Sequence, residues 1–405
     1  MKKTLRRFLP IMITSVLAVI ATAGSTLCAQ TSRFGRTYLG EDGYIEYQPG
    51  TMPLVISVPH GGSLAPASFP DRDCEGCSYV QDAYTQELAR SIREEFHVRT
   101  GCYPHVIYNL LHRKKLDMNR DSVTATDSNA ALTTYWKEYH AFIDSAKSSV
   151  AREFGKGLFI DLHGHGHAKA RIEFGYLLDD SRLRENDSIL DMEKSFGISS
   201  IRSLVGANLT GDTHAELIRG DDALGTMFGN EGYPGVPSKQ DPYPLIDDPY
   251  FNGGFNTLVH GSRNGGVIDA IQMELNSALR FTPAGRSSFS SAFVRVLRSF
   301  LGTQYLAGYA SATCTTSSTA DSIHDCEIAS GKVGPTASPN PVEDRLTLGH
   351  VPEGTTYAIF SGIGVKVREG TVTGATIPLH DLPSGTYGLI LYHGATVYHL
   401  SVVKL

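Results

Sequence analysis

With 405 residues, the chain is too long for one hydrophobic core, since single cores stop growing at roughly 250–300 residues, and two folded units are predicted. Its 36 basic and 42 acidic residues give a net charge of −6, a balance that argues against nucleic acid as a partner.

The chain opens MKKTLRRFLPIMITSVLAVIATAG, a basic start, an apolar run and then small residues, the order of a secretory signal peptide. Residues 1–29 are predicted to be that signal, cleaved after Ala23 or Ala29, and the mature protein is expected outside the cytoplasm, secreted or attached to the cell surface. No small-residue lipobox precedes Cys28, which favours plain cleavage over a lipid anchor. No later apolar run approaches the roughly 20 residues of a membrane helix. Of the 6 cysteines, Cys28 leaves with the signal, and export makes disulfides the default for the others. Cys314 and Cys326 are expected to pair. Cys74-x-x-Cys77 with Cys102 fits either a zinc site short of a ligand or a disulfide with one thiol left over, and the disulfide is the expectation.

From residue 37 to 305 apolar runs alternate with helical patterns, which predicts an α/β domain with a mostly parallel, mixed sheet flanked by helices. LVISV (Leu54 to Val58), HVIYNLL (His105 to Leu111), GLFIDL (Gly157 to Leu162) and VIDAIQMEL (Val267 to Leu275) read as buried strands. DAYTQELARSIREEF carries Ala83, Leu88, Ile92 and Phe96 at helical spacing, and Tyr135 to Phe154 and Ser288 to Leu301 are further helix candidates. Residues 306–335, rich in Ser, Thr and Ala, read as a linker. Residues 336–405 break into short alternating segments with Gly and Pro turns, the pattern of a small C-terminal β-sandwich.

That C-terminal unit resembles the sorting domain of type IX secretion substrates. The resemblance is carried by Ser338-Pro339-Asn340-Pro341, by Leu382-Pro383-Ser384-Gly385-Thr386-Tyr387 and by Lys404-Leu405. It implies the type IX secretion machinery as a partner and export across the outer membrane; the alternative is a carbohydrate-binding or packing β-domain.

Sites in parallel α/β sheets form at the carboxyl ends of strands, and a specific set of residues collects there. The first strand runs into His60, with Gly61 and Gly62 leaving room for a ligand. GLFIDL runs into HGHGH, where His163 is nearest the strand end. Asp82 precedes the first helix, where it either caps the helix or joins the two histidines. His60, Asp82 and His163 would hold one zinc ion by three protein ligands, leaving a position open for water. Asp161 either orients an imidazole or points to the other side of the sheet. Glu274, near the end of the last strand, is either a general base beside the metal or a salt-bridge partner of Arg280 or Arg120. Arg113, Asn119 and Arg120 offer a clamp for a substrate carboxylate, or a solvated basic loop. His165 is left open as a ligand, an oxyanion donor or a supporting residue, and His167 reads as loop.

In order, Ser57-Val58-Pro59-His60-Gly61-Gly62, Asp82 with Thr85 and Leu88, Arg113 with Asp117 and Asn119-Arg120, Asp161-Leu162-His163-Gly164-His165 and Gln272-Met273-Glu274-Leu275 resemble the N-formylglutamate amidohydrolase family. ELIRGDDALG, GYPGVPS and YFNGGFNTLVHGS resemble intervening segments. Arg219 and His260, in those loops, are weaker substrate-contact candidates for which a purely structural role is the favoured alternative, and Arg280, after the last strand, is a further substrate-contact candidate. The resemblance implies a zinc carboxypeptidase-like fold, with His60, Asp82 and His163 at the metal positions and Glu274 at the base position. The family's cytoplasmic members act on N-formylglutamate, whereas this chain is read as exported. The expected activity is hydrolysis of a C–N bond in an N-acyl amino acid or similar small carboxylate substrate. A metallocarboxypeptidase or peptidoglycan amidase shares the same catalytic set, and a non-catalytic surface metal- or ligand-binding protein is the reading from another class.

Overall fold

LVISV is apolar at every position but Ser57, and such a strand has to be covered on both faces. In the computed structural model of the chain it is, and residues 37–74, 76–314, 336–338, 342–349, 351, 354–361, 366–393 and 396–404 are described. The expected signal peptide, Cys28, Cys326, residues 315–335 of the expected linker, Pro339 to Pro341 and Leu405 lie outside the described residues.

Eight strands make one sheet. They are β1 (Tyr38–Leu39), β2 (Ile45–Gln48), β3 (Leu54–Val58), β4 (His105–Asn109), β5 (Gly157–Gly164), β6 (Ile172–Gly175), β7 (Gly235–Val236) and β8 (Ile268–Leu275), in the order β1-β2-β4-β3-β5-β8-β6-β7. β4, β3, β5 and β8 run parallel, so the four strands read from sequence become four adjacent central strands. β2 joins antiparallel to β4 at one side and β6 antiparallel to β8 at the other. The fold class is therefore α/β with a mixed, mostly parallel sheet, as the alternation of the sequence predicts.

Side chains alternate across a strand, and this sorts the sheet into two cores. Leu54, Ile56, Val58, Leu158, Ile160, Leu162, Ile271 and Met273 face the helices Thr85–Thr100 and Pro283–Phe300, meeting Leu88, Ile92, Phe96, Phe289, Phe293 and Leu297. Val55, Ile107, Phe159 and Ala270 face the helix Ala130–Phe154, meeting Leu132, Tyr139, Ile143 and Val150. The same alternation puts Ser57, Asp161, His163, Gln272 and Glu274 on the second face, toward the carboxyl ends. In-register pairing sets His163 beside Glu274 on one side and Glu173 beside Glu274 on the other.

The disulfides correct the expected pairing. Cys102 bonds Cys314 across 212 residues, and Cys74 bonds Cys77. Gly101 turns the chain at φ 71° after the helix Thr85–Thr100, and the Cys314 N–H donates to Thr100 O at 2.8 Å. That places Cys314 on Cys102, so that among the described residues all four cysteines are paired and Cys74, Cys77 and Cys102 form no zinc site. The described residues between 336 and 404 form two antiparallel sheets, one of three strands and one of four, sharing a core of Leu346, Leu348, Ile359, Ile377, Leu389, Leu391 and Val402. No described helix is long and apolar enough to cross a membrane.

Candidate metal centre

Pro59 has no N–H and ends the pairing of β3, and Asn109 Nδ2 donates to Pro59 O at 2.8 Å, fixing the turn that presents His60. The two glycines that follow serve packing, not a ligand. A Cβ on Gly61 would stand 2.5 Å from Thr85 Oγ1, and one on Gly62 would stand 2.4 Å from the Leu110 carbonyl carbon. They let the first helix and the end of β4 close onto the His60 turn.

Asp82 is tied to that turn through its N–H to His60 O, 3.0 Å. It does not cap the helix Thr85–Thr100: the N-cap position is Tyr84, in left-handed backbone at φ 65°, and no side chain caps it. The bend turns the Asp82 carboxylate inward instead. Its Oδ2 lies 3.1 Å from His163 Nδ1 and 3.4 Å from His60 Nδ1, and accepts the Gly164 N–H at 3.2 Å.

Each imidazole is fixed from behind by a carboxylate. His60 Nε2 donates to Asp117 Oδ1 at 2.6 Å, and His163 Nε2 donates to Asp161 Oδ2 at 2.8 Å. Asp117 is itself held by Arg113 Nε at 3.0 Å and the Asn119 N–H at 3.0 Å, and Asp161 by the Ser57 hydroxyl and Asn256 Nδ2. Asp161 therefore faces the histidine. With both Nε2 atoms occupied, both Nδ1 atoms turn toward Asp82, and the fully buried His60 Nδ1 has no hydrogen-bond partner. One donor atom from each of His60, Asp82 and His163 lies within 4.8 Å of the others, all three residues are buried, and the group can hold a metal ion. A carboxylate behind each imidazole is the outer arrangement metal-ligating histidines use.

The electrostatics agree. Burial by itself would raise Asp82, but the adjoining His163 and His60 imidazoles outweigh it and hold its carboxyl below the usual range. Burial would lower His163, yet Asp161, Asp82 and Glu274 draw it well above an ordinary histidine. Surroundings that retain a proton there favour any cation, including a divalent one.

Glu274 Oε1 stands 4.0 Å from His163 Nδ1 and accepts from Gln272 Nε2 at 3.0 Å. Among the described residues neither Arg280 nor Arg120 pairs with it. Burial raises its carboxyl to about 8; His163 opposes the rise, while Asp82, Glu173 and Asp161 add to it.

These groups open onto a cavity of about 280 Å³ that also takes in Arg113, Asn119, Arg120, His165 and His167. Arg113 is bound to Asp117, and Arg120 Nη1 donates to Asn119 O at 2.7 Å, so both arginines are held at the rim. Asn119 also braces the wall, its Oδ1 accepting the Asn256 N–H at 2.8 Å. His165 borders the cavity with both nitrogens engaged: Nε2 donates to Arg171 O at 2.8 Å, and Nδ1 accepts the His167 N–H at 3.1 Å.

Three expected substrate contacts lie elsewhere. Arg219 binds Asp187, Leu183 O and Glu185 O away from the cavity. His260 is buried against His140, 2.8 Å from its Nδ1. Arg280 is a strut, donating to the backbone carbonyls of Leu275, Ala83 and His165 and so tying β8, the Asp82 loop and the HGHGH segment together. A Cβ on Gly164 would stand 2.2 Å from Arg280 Cζ, which explains that glycine. Two residues that sequence reading gave no role are central here, Asp117 and Glu173. An acid in the middle of the short strand IEFG was the available signal for Glu173.

No family model matches the chain, and no curated protein matches it. Solved structures do. An N-formylglutamate amidohydrolase from Ralstonia eutropha is 15% identical with a TM-score of 0.39, over 66% of this chain and 97% of that one. A gene product from Agrobacterium tumefaciens is 13% identical at 0.39, over 64% and 95%. PorZ, a surface component of the type-IX secretion system of Porphyromonas gingivalis, is 16% identical at 0.17, over 25% and 13%. At these values the chemistry rests on the geometry of the chain's own residues.

Proposed function

We propose that the chain is a metal-dependent hydrolase of a C–N amide bond in a small carboxylate substrate, an N-acyl amino acid being the first choice. The observation that carries it is the convergence of two imidazole Nδ1 atoms and one carboxylate on a point beside a second, protonatable carboxylate, Glu274. His60, Asp82 and His163 fit zinc, whose three-ligand sites leave a position open. When bound, such an ion supplies Lewis acidity toward a carbonyl and activates water near neutral pH.

The protein's own residues do the rest. Asp117 and Asp161 keep the imidazoles in one tautomer and orientation. Glu274, held by Gln272, takes a proton on the attacking side and returns it to the leaving nitrogen. Arg113 and Arg120, which line the same cavity, pair with a substrate carboxylate, and the small cavity favours a small substrate.

Glu274→Gln keeps the shape and removes the proton carrier. Its expected effect is a loss of ~10²–10⁴-fold in kcat on N-acyl amino acids, with zinc content unchanged. Undiminished turnover, or wild-type protein that takes up no metal, defeats the reading. Parallel incubation with short peptides and cell-wall fragments tests the carboxypeptidase and amidase alternatives.

We also propose that the protein is exported. The two disulfides fit an oxidising compartment, and the paired antiparallel sheets of residues 336–404 are compatible with a sorting unit. Fractionation of cells expressing the full chain and a chain ending at residue 335 tests it; identical distribution of the two removes the sorting role.

A further inference from the structure

Beyond the first centre, the described residues contain a second group of three ligand-type side chains, His165, His167 and Glu173, with one donor atom from each within 4.8 Å of the others. We propose that these three form a second binding site for a zinc-class divalent ion, on the far side of Glu274 from the first.

The parts are arranged as such a site needs. Glu173 is wholly buried; its Oε2 accepts the Phe251 N–H at 2.9 Å, and its Oε1 lies 2.8 Å from His167 Nδ1. Among the described residues no arginine or lysine pairs with Glu173. Arg171, two residues away, pairs through Nη1 with Asp241 and Asp248. Across the strand pair Glu173 faces Glu274, another buried carboxylate. Two buried acids side by side are costly unless a proton or a cation accompanies them.

His165 is already in the form a ligand takes. Its Nε2–H is given to Arg171 O, the outer hydrogen bond that fixes tautomer and ring, and leaves Nδ1 as the electron-pair donor. That lone pair now meets only the His167 N–H, in a loop where a Cβ on Gly166 would meet nothing within 4 Å. The His167 ring is kept in place by stacking on Phe251, 4.7 Å between centroids. Two imidazoles and one carboxylate select zinc, cobalt, iron or nickel over calcium or magnesium. The alternating histidines of HGHGH then divide between two ions, His163 to one and His165 with His167 to the other.

The test is metal stoichiometry of the full chain, stripped and reloaded with zinc, with cobalt(II) titration as an optical readout. Wild type is expected to bind two equivalents. His167→Ala, at a partly exposed position, should keep the first and bind the second ~100-fold or more weakly, since even supporting residues are worth 10–100-fold. His167→Gln, which keeps the bulk, should do the same. His163→Ala should lose the first and keep the second. A single equivalent in wild type, or two in both His167 variants, overturns the proposal. Loss of both ions in His163→Ala also overturns it, because the second site would not stand alone. If the first centre is the misassigned one, His163→Ala leaves uptake unchanged while the His167 variants lower it.

Discussion

At the scale of single residues, the site rests on groups that touch the ligands and not the substrate. Asp117→Asn and Asp161→Asn are each expected to weaken zinc binding 10–100-fold, read by competition with a chromogenic chelator, because an amide nitrogen facing Nε2–H disturbs the tautomer. Arg280→Ala should lower metal affinity and kcat together while leaving KM for a carboxylate substrate little changed, which separates a strut from a substrate clamp. Arg120→Ala should do the reverse and raise KM. His60, Asp82, His163 and Glu274 were legible because strand ends are where an α/β sheet gathers its chemistry. Asp117 lies in an irregular loop and Glu173 on an antiparallel strand entering from the far side. No periodicity marks either, and only the in-register pairing of β6 with β8 brings Glu173 beside Glu274.

At the scale of elements, the buried strands and the three long helices declare themselves through apolar runs and helical spacing. The edge strand β7, only Gly235–Val236, carries too few residues to show a period. Disulfide pairing was also illegible. Cys102 and Cys314 are 212 residues apart and meet only because the helix Pro283–Phe300 packs beside the helix Thr85–Thr100. Replacing both with serine should cost ~3–5 kcal/mol by loss of the closed loop, seen as a lower urea midpoint with little change in the spectrum of the folded state. Gly62→Ala should be more damaging to the site than to the fold, because its Cβ would push the His60 turn off Leu110. A fall in zinc affinity larger than the fall in stability is the expected signature.

At the scale of the whole molecule, stability should depend on pH through buried neutral histidines. Burial lowers His105 to about 4, with Arg93 and Arg152 adding to it, and burial lowers His140 to about 3. An unfolded histidine takes up a proton near pH 6.5, whereas these do not while folded. The contribution of these two histidines is therefore fully present above about 6.5 and is lost as pH drops from there toward 4 and below. His105→Asn, whose amide oxygen can still accept from Tyr47, should show a shallower loss between pH 6.5 and 4 in urea unfolding. The Cys102–Cys314 bond has a mechanical consequence at this scale. Cys314 follows the C-terminal helix of the α/β unit, so tension applied from the chain beyond it passes through the two sulfurs into the segment leading to β4. Pulling on the chain at Cys314 would thus load the central sheet as well as the helix Pro283–Phe300.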